Sequence, residues 1–214
     1  METGLEFPHR PPGVPARVTD GVKPDVSAWD EIVLFFAGKH VAVLGPRTSG
    51  KTVLQSLLLT GEVHHDPEAT IGPTPTRSKR NKALDLDIRK GVDLPGAQRA
   101  YPDWERQFKR SSTVFFLFDA HLLRTDVDYA RRVEEDGWMM KRWGVSDKDV
   151  LIMGTHADTD PLRAQVGAAP YSDLILDHDS VLLLQGRCRA RATEVGSLLT
   201  KDEAMPMLKR LLGR

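Results

Sequence analysis

Residues 45–52 read GPRTSGKT, which fits the pattern G-x-x-x-x-G-K-[ST]. Each fixed position has a physical role in holding phosphate. Gly45 and Gly50 let the chain turn tightly and bring backbone amides against phosphate oxygens. Lys51 puts a point charge on the outer phosphates, and the Thr52 hydroxyl is suited to ligating magnesium. A helix starting here adds its positive end. The pattern needs a buried strand before it and a helix after it; HVAVLG and KTVLQSLLLTG supply both. A glycine turn before an ordinary helix is the simpler alternative, and this context disfavours it. The expected phosphate-binding set is Gly45, Arg47, Ser49, Gly50, Lys51, Thr52 and Val53. Such a loop serves kinases, ATPases and GTPases alike, so the rest of the chain must decide the base and the reaction.

Three later segments bear on that choice. VDLPGAQ at 92–98 carries D-x-x-G. Asp93 would end a strand near a magnesium ion and hold it through a water, with the Gly96 amide near the outermost phosphate; an Asp-Pro-Gly turn is the alternative. LIMGTHAD at 151–158 ends an apolar strand in Thr155, His156 and Asp158, a variant of [NT]-K-x-D. A carboxylate there can accept from the ring N–H and the exocyclic amine of guanine; adenine has no matching donors. His156 stands where lysine is usual, and its ring could stack on the base. VGSL at 195–198 follows another strand, and the backbone of Ser197 and Leu198 would meet the guanine carbonyl.

The elements that must position these residues alternate between strand and helix. Strands are expected at HVAVLG, ALDLDIRKGVD, STVFFLFDA, DVLIMGTHAD and ATEVGSL. Helices are expected at KTVLQSLLLT, at DVDYARRVEEDGWMMKRWG with a kink or break near Gly137, and at DSVLLLQGRCR. A last helix, KDEAMPMLKRLL, has a Thr200–Glu203 capping box and an awkward Pro206. This order implies a mostly parallel sheet with helices on both faces, a three-layer α/β fold. In such a sheet the ligand lies beyond the carboxyl ends of the strands. Residues 1–25 hold five of the 14 prolines and read as an extended or disordered arm. Residues 26–38 read as an amphipathic helix, expected to pack on its own domain rather than on a membrane or partner. Residues 39–214 form the expected nucleotide-binding domain.

Composition narrows the class. The chain has 214 residues, 30 basic and 30 acidic side chains and one cysteine, Cys188. Zero net charge gives no field toward nucleic acid or an anionic membrane. A lone cysteine excludes an internal disulfide and suits a reducing compartment. No apolar run approaches membrane-span length, and the N-terminus lacks a signal-peptide core. The cytoplasm is the expected setting. His64, His65 and Asp66 read as a polar loop without a third ligand spaced for zinc. RSKRNK at 77–82 reads as a solvated basic run. Trp104, Phe108, Trp138 and Trp143 read as core by default, with a partner surface as the alternative.

The phosphate loop, D-x-x-G, T-H-x-D and GSL, in this order and spacing, resemble the Ras-like small GTPase superfamily, and within it the Arf-like branch. ATIG at 69–72 looks like that branch's switch I PTIG, and DLPGAQRAYPDWERQFKRSSTVFFLFDA is similar to its switch II, the helix after it and the next strand. The resemblance covers about residues 39–213. It implies binding of GTP and GDP with Mg2+, slow GTP hydrolysis stimulated by a partner, and a protein effector or regulator on the switch surface. It makes Thr70 the switch I threonine, a ligand of magnesium and of the outermost phosphate; Thr74 and Thr76 are rivals. The implied catalytic set is Lys51, Thr70, Gly96 and Gln98; the implied metal set is Thr52, Thr70 and Asp93.

Two positions depart from the pattern. Ala97 stands directly after the D-x-x-G glycine, where glutamine usually orients the attacking water, and Gln98 is one residue late. Arg47 stands where the loop often has glycine; a cation there could crowd a partner's arginine or act on the phosphates itself. A GTP-binding interaction module with little hydrolysis is therefore the second reading. An ATP-using kinase is the third. It would draw on Arg131, Arg132 or the arginines at 187–191 and would leave THAD and GSL unexplained.

Overall fold

The computed structural model describes residues 39–63, 74–75, 92–93 and 100–213. The arm at 1–25, the helix at 26–38, the histidines at 64–65 and the basic run at 77–82 lie outside these residues. So do Thr70, Thr76, Gly96, Ala97 and Gln98.

Strands β1 (Val41–Leu44), β4 (Thr113–Asp119), β5 (Asp149–Thr155) and β6 (Ala192–Val195) form one sheet in the order β1-β4-β5-β6. Every pairing in it is parallel. A parallel sheet covered on both faces should show nearly continuous apolar strands, and all seven residues of β4 are buried. The two-residue strands β2 (Thr74–Pro75) and β3 (Val92–Asp93) pair antiparallel, with Thr74 opposite Asp93. Asp93 thus lies in a strand.

Side-chain alternation splits the strands between two apolar layers. Val43, Phe115, Leu117, Leu151 and Met153 face helices α1 (Lys51–Thr60) and α8 (Lys201–Leu212), meeting Leu54, Leu57, Leu208 and Leu211. Leu44, Val114, Phe116, Phe118, Val150 and Ile152 face the other way. They pack with Trp104 and Phe108 of α2 (Tyr101–Arg110) and Val133 and Met140 of α4 (Val127–Trp143). Tyr171 of α6 (Ala168–Leu176) and Val181, Leu184 and Cys188 of α7 (Asp179–Cys188) complete this layer. The molecule is therefore a three-layer α/β structure, as the element order implies.

Trp104 and Phe108 are fully buried, whereas Trp138 is exposed under Arg142, 4.8 Å from its ring. Pro206 sits inside α8 on its exposed face. The Thr200 hydroxyl accepts from the Glu203 amide at 3.3 Å, the expected cap.

One expectation is corrected. Helix α4 runs unbroken through Gly137. The glycine serves packing: a Cβ there would lie 2.7 Å from Leu184 Cδ1 on α7. Three short helices have no counterpart in the sequence reading: α3 (Ala120–Thr125), α5 (Pro161–Val166) and α6. Among the described residues, no helix is long and apolar enough to cross a membrane.

Candidate functional site

The carboxyl ends of β1, β4, β5 and β6 lie side by side, since Leu44 is in register with Phe116, Asp119 with Thr155, and Gly154 with Val195. The loop after β1 starts at Gly45, whose φ is +146°; a Cβ there would sit 2.1 Å from the Leu117 carbonyl oxygen. Only glycine lets the loop leave the sheet at this point. The loop then closes on one acceptor. The Pro46 carbonyl receives hydrogen bonds from Ser49 Oγ at 3.0 Å and Lys51 Nζ at 2.6 Å, and both donor side chains are buried. The lysine ammonium is thereby held within the loop it would serve.

Thr48 adopts φ +64°, a conformation that costs a non-glycine residue roughly 1–2 kcal/mol and that concentrates at functional sites. Gly50, at φ +78°, is the N-cap of α1 and provides no side-chain acceptor. A helix start without such an acceptor suits an anion, which takes up first-turn amides and the helix dipole. Arg47 is exposed at the rim, Thr52 is half-buried in the first turn, and Val53 packs partly against the apolar layer beneath.

The T-H-x-D segment is fastened to this loop. Thr155 Oγ1 is buried 3.1 Å from the Ser49 carbonyl and 3.1 Å from the Phe118 carbonyl. It also lies 2.8 Å from His156 Nδ1. His156 has φ +56° and turns the chain into a single 3₁₀ turn, Ala157–Thr159, that leaves Asp158 exposed. The GSL segment is stitched to the same place: the Gly196 amide donates to the Gly154 carbonyl at 2.9 Å, and the Gly196 carbonyl accepts from the Ala157 amide at 3.1 Å. Ser197 is buried, its hydroxyl accepting from the Leu199 amide at 2.9 Å.

These three segments meet at Gly50. Its Cβ position lies 3.2 Å from Leu198 Cδ1, 3.7 Å from Thr155 Cγ2 and 3.7 Å from His156 Cε1. Residues far apart in sequence thus surround the start of α1, the point at which a phosphate would sit.

Sequence reasoning missed two carboxylates around this site. Asp119, at the end of β4, accepts from the Leu122 amide at 2.9 Å, and its other oxygen lies 3.6 Å from His156 Nδ1. Burial pushes its carboxyl up, opposed by the Leu122 amide and by His156 and His121. Asp160, also buried, takes a bidentate grip from Arg124 at 2.9 and 2.8 Å and a bond from the Tyr171 hydroxyl at 3.0 Å. Burial would raise its carboxyl, but Arg124, the Leu162 amide, His121 and Tyr171 hold it well below the usual range. It anchors the far end of the turn that carries Asp158. Asp160 followed by Pro161 has the form of a helix start, a signal the sequence offered; nothing in sequence pairs it with Arg124.

For magnesium, the donor types fit. Strand β3, ending in Asp93, packs against α1, which carries Thr52. Hydroxyl and carboxylate oxygens suit this ion, which keeps several waters and takes phosphate oxygens as ligands. Among the described residues no group of three or more His, Cys, Asp or Glu side chains is placed to hold a metal alone.

The comparisons accord with this architecture. No protein-family model matches the chain, and no curated protein does. Solved structures do. The mammalian SRP receptor structure aligns at TM-score 0.54 and 18% identity over 80% of this chain and 98% of that one. An ADP-ribosylation-factor-like GTP-binding protein, the small COPII coat GTPase SAR1 of Encephalitozoon cuniculi solved with GDP, aligns at TM-score 0.52 and 17% identity. That alignment covers 86% of this chain and 81% of that one. The fold of this chain is that of Arf-like small GTPases.

Proposed function

We propose that the protein is a guanine-nucleotide-binding switch that binds GTP and GDP with magnesium and hydrolyses GTP slowly. One observation carries the reading: Gly50, Leu198, Thr155 and His156 converge within 3.7 Å at the start of α1. A phosphate loop alone would serve many enzymes; one fastened to a T-H-x-D turn and a GSL loop has a place for a base beside the phosphates. The loop amides and Lys51 bind the phosphates. Asp158 accepts from the guanine ring N–H and amine, and the backbone at Ser197 and Leu198 donates to the guanine carbonyl. Magnesium, held by Thr52 and Asp93 with Thr70, would supply charge neutralisation at the phosphates. Gln98 and the Gly96 amide are the chain's own groups for orienting water and the outermost phosphate. A partner on the switch surface would raise the rate.

The fold and the GDP-bound SAR1 structure support this reading. GTP turnover by the full chain with magnesium tests it: slow release of phosphate, abolished in Lys51→Ala, is the expected result. The second reading, a GTP-binding module without turnover, is favoured by Ala97 directly after Gly96. Tight GTP binding with no phosphate release, alone or with cell extract, would decide for it.

A further inference from the structure

The turn that presents Asp158 is pinned on both sides of that residue. Before it, Thr155 Oγ1 lies 3.1 Å from the Ser49 and Phe118 carbonyls, and the Ala157 amide donates to the Gly196 carbonyl at 3.1 Å. After it comes Asp160, whose side chain is fully buried. Both of its oxygens are taken. Oδ1 accepts from Arg124 Nη2 at 2.8 Å and from the Leu162 amide at 2.9 Å. Oδ2 accepts from Arg124 Nε at 2.9 Å and from the Tyr171 hydroxyl at 3.0 Å, and His121 Nδ1 lies 3.3 Å from it. A carboxylate offers about four acceptor sites, so Asp160 has none left for a ligand and acts as a fixed point. Thr159, between the two aspartates, closes the turn: its amide and its hydroxyl both donate to the His156 carbonyl, at 3.1 and 2.8 Å. Asp158 itself is exposed, so the backbone of this turn, not packing around the side chain, aims its carboxylate.

Arg124 holds Asp160 from outside the turn. It stands at the end of α3, which packs against the turn and whose N-cap, Asp119, lies 3.6 Å from His156 Nδ1. The short helix thus brackets the segment from His156 to Asp160. Its grip is a fork: two parallel N–H···O bonds fix angle as well as distance, which a lysine ammonium does not do. We propose that Arg124 sets guanine selectivity: through its bidentate hold on Asp160 it fixes the turn that aims Asp158 at the base. It acts through Asp160 and is a positioning residue. This rests on the nucleotide reading above. The geometric demand is strict, because paired bonds to the guanine ring N–H and amine need both Asp158 oxygens in the plane of the base. Groups that bind in this way must be held to within about 0.5 Å. Phosphate binding falls to a different segment, the loop between β1 and α1. Loss of the arginine therefore degrades base reading more than phosphate binding.

A double-mutant cycle on the full chain with magnesium tests this. Dissociation constants of GDP, inosine diphosphate and ADP are measured for wild type, Arg124→Met, Asp158→Ala and the double variant. Inosine diphosphate lacks the exocyclic amine, and ADP lacks both donors that Asp158 would meet. Arg124→Met is expected to cut the preference for GDP over ADP by about 10-fold, and to cost GDP affinity less than about 2-fold once Asp158 is already alanine, the non-additivity of coupled residues. The gap between GDP and inosine diphosphate should narrow with it. Arg124→Lys keeps the charge and loses the fork; it is expected to show the same pattern at about 3-fold, and it decides the matter if Arg124→Met does not fold. Equal weakening for all three nucleotides, or losses that multiply in the double variant, would mark the pair as a purely structural bridge. That result would overturn the inference and leave the nucleotide reading in place. Wild type without a preference for GDP over ADP would overturn both.

Discussion

The hydroxyl of Thr155 lies 3.1 Å from the carbonyl of Ser49, 106 residues earlier in the chain. This bond joins the loop between β1 and α1 to the strand end that carries His156 and Asp158. Ser49 and Thr155 are both buried. Thr155→Val keeps the shape and removes the hydroxyl, leaving the Ser49 carbonyl without this donor. A lost buried hydrogen bond costs about 1–3 kcal/mol. The expected outcome is roughly a tenfold weaker GDP affinity with a lower melting temperature, and Thr155→Ser should restore both. Titration and thermal melts of the two variants check it.

The two glycines of the loop should not be equivalent. At Gly45 a Cβ would lie 2.1 Å from a backbone oxygen of β4; at Gly50 the nearest atom is the movable Leu198 Cδ1 at 3.2 Å. Backbone cannot yield as a methyl group can. Gly45→Ala should destabilise by at least about 3 kcal/mol, and Gly50→Ala by about 1–2 kcal/mol, its left-handed strain. Denaturant melts of both variants measure the contrast.

Gly137 should defy helix propensity. Alanine is favoured over glycine in a helix interior by about 1 kcal/mol, yet here its Cβ would press on Leu184 at 2.7 Å. Gly137→Ala is expected to destabilise by about 1–2 kcal/mol, as overpacked sites do. An increase in stability on denaturation would show that α4 and α7 part easily.

How much of this was legible in sequence follows from the range of the forces involved. The β1–α1 unit was readable because its strand, glycines and helix are contiguous. The apolar runs of β4 and β5 were readable because both faces of the sheet are covered. Gly137 misled because a glycine that breaks a helix and one that admits a neighbouring leucine look alike until α7 is in place. Helices α5 and α6 were missed because α5 buries no residue and α6 buries only Tyr171 and Ile175, so neither shows a clear apolar period. Asp119 and the Arg124–Asp160 pair depend on contacts between separate elements, which spacing does not encode.

The buried Asp136 on α4 gives a pH dependence. Tyr101 donates to its Oδ1 at 2.7 Å and Arg132 Nε lies 3.0 Å from the same oxygen. Its Oδ2 is buried without a hydrogen-bond partner. Burial pushes its carboxyl up to about 6, against the pull of Arg132, Tyr101 and Lys51. A carboxyl raised on folding binds its proton more tightly in the native state. Its contribution is therefore fullest below the unfolded value of about 4 and is lost as pH rises through about 6. Wild type should lose stability between pH 5 and pH 7.5 relative to Asp136→Asn. Urea midpoints at the two pH values measure this; equal shifts in both proteins would assign the dependence elsewhere.

The central claim is that Asp158 reads guanine beside a phosphate cradle. Its most direct test is equilibrium titration of the full chain, with magnesium, against fluorescent GDP, GTP and ATP, in wild type and Asp158→Ala. The account predicts tight binding of both guanine nucleotides, little binding of ATP, and loss of that selectivity in the variant. Equal binding of ATP, or an Asp158→Ala protein that still prefers guanine, would contradict it.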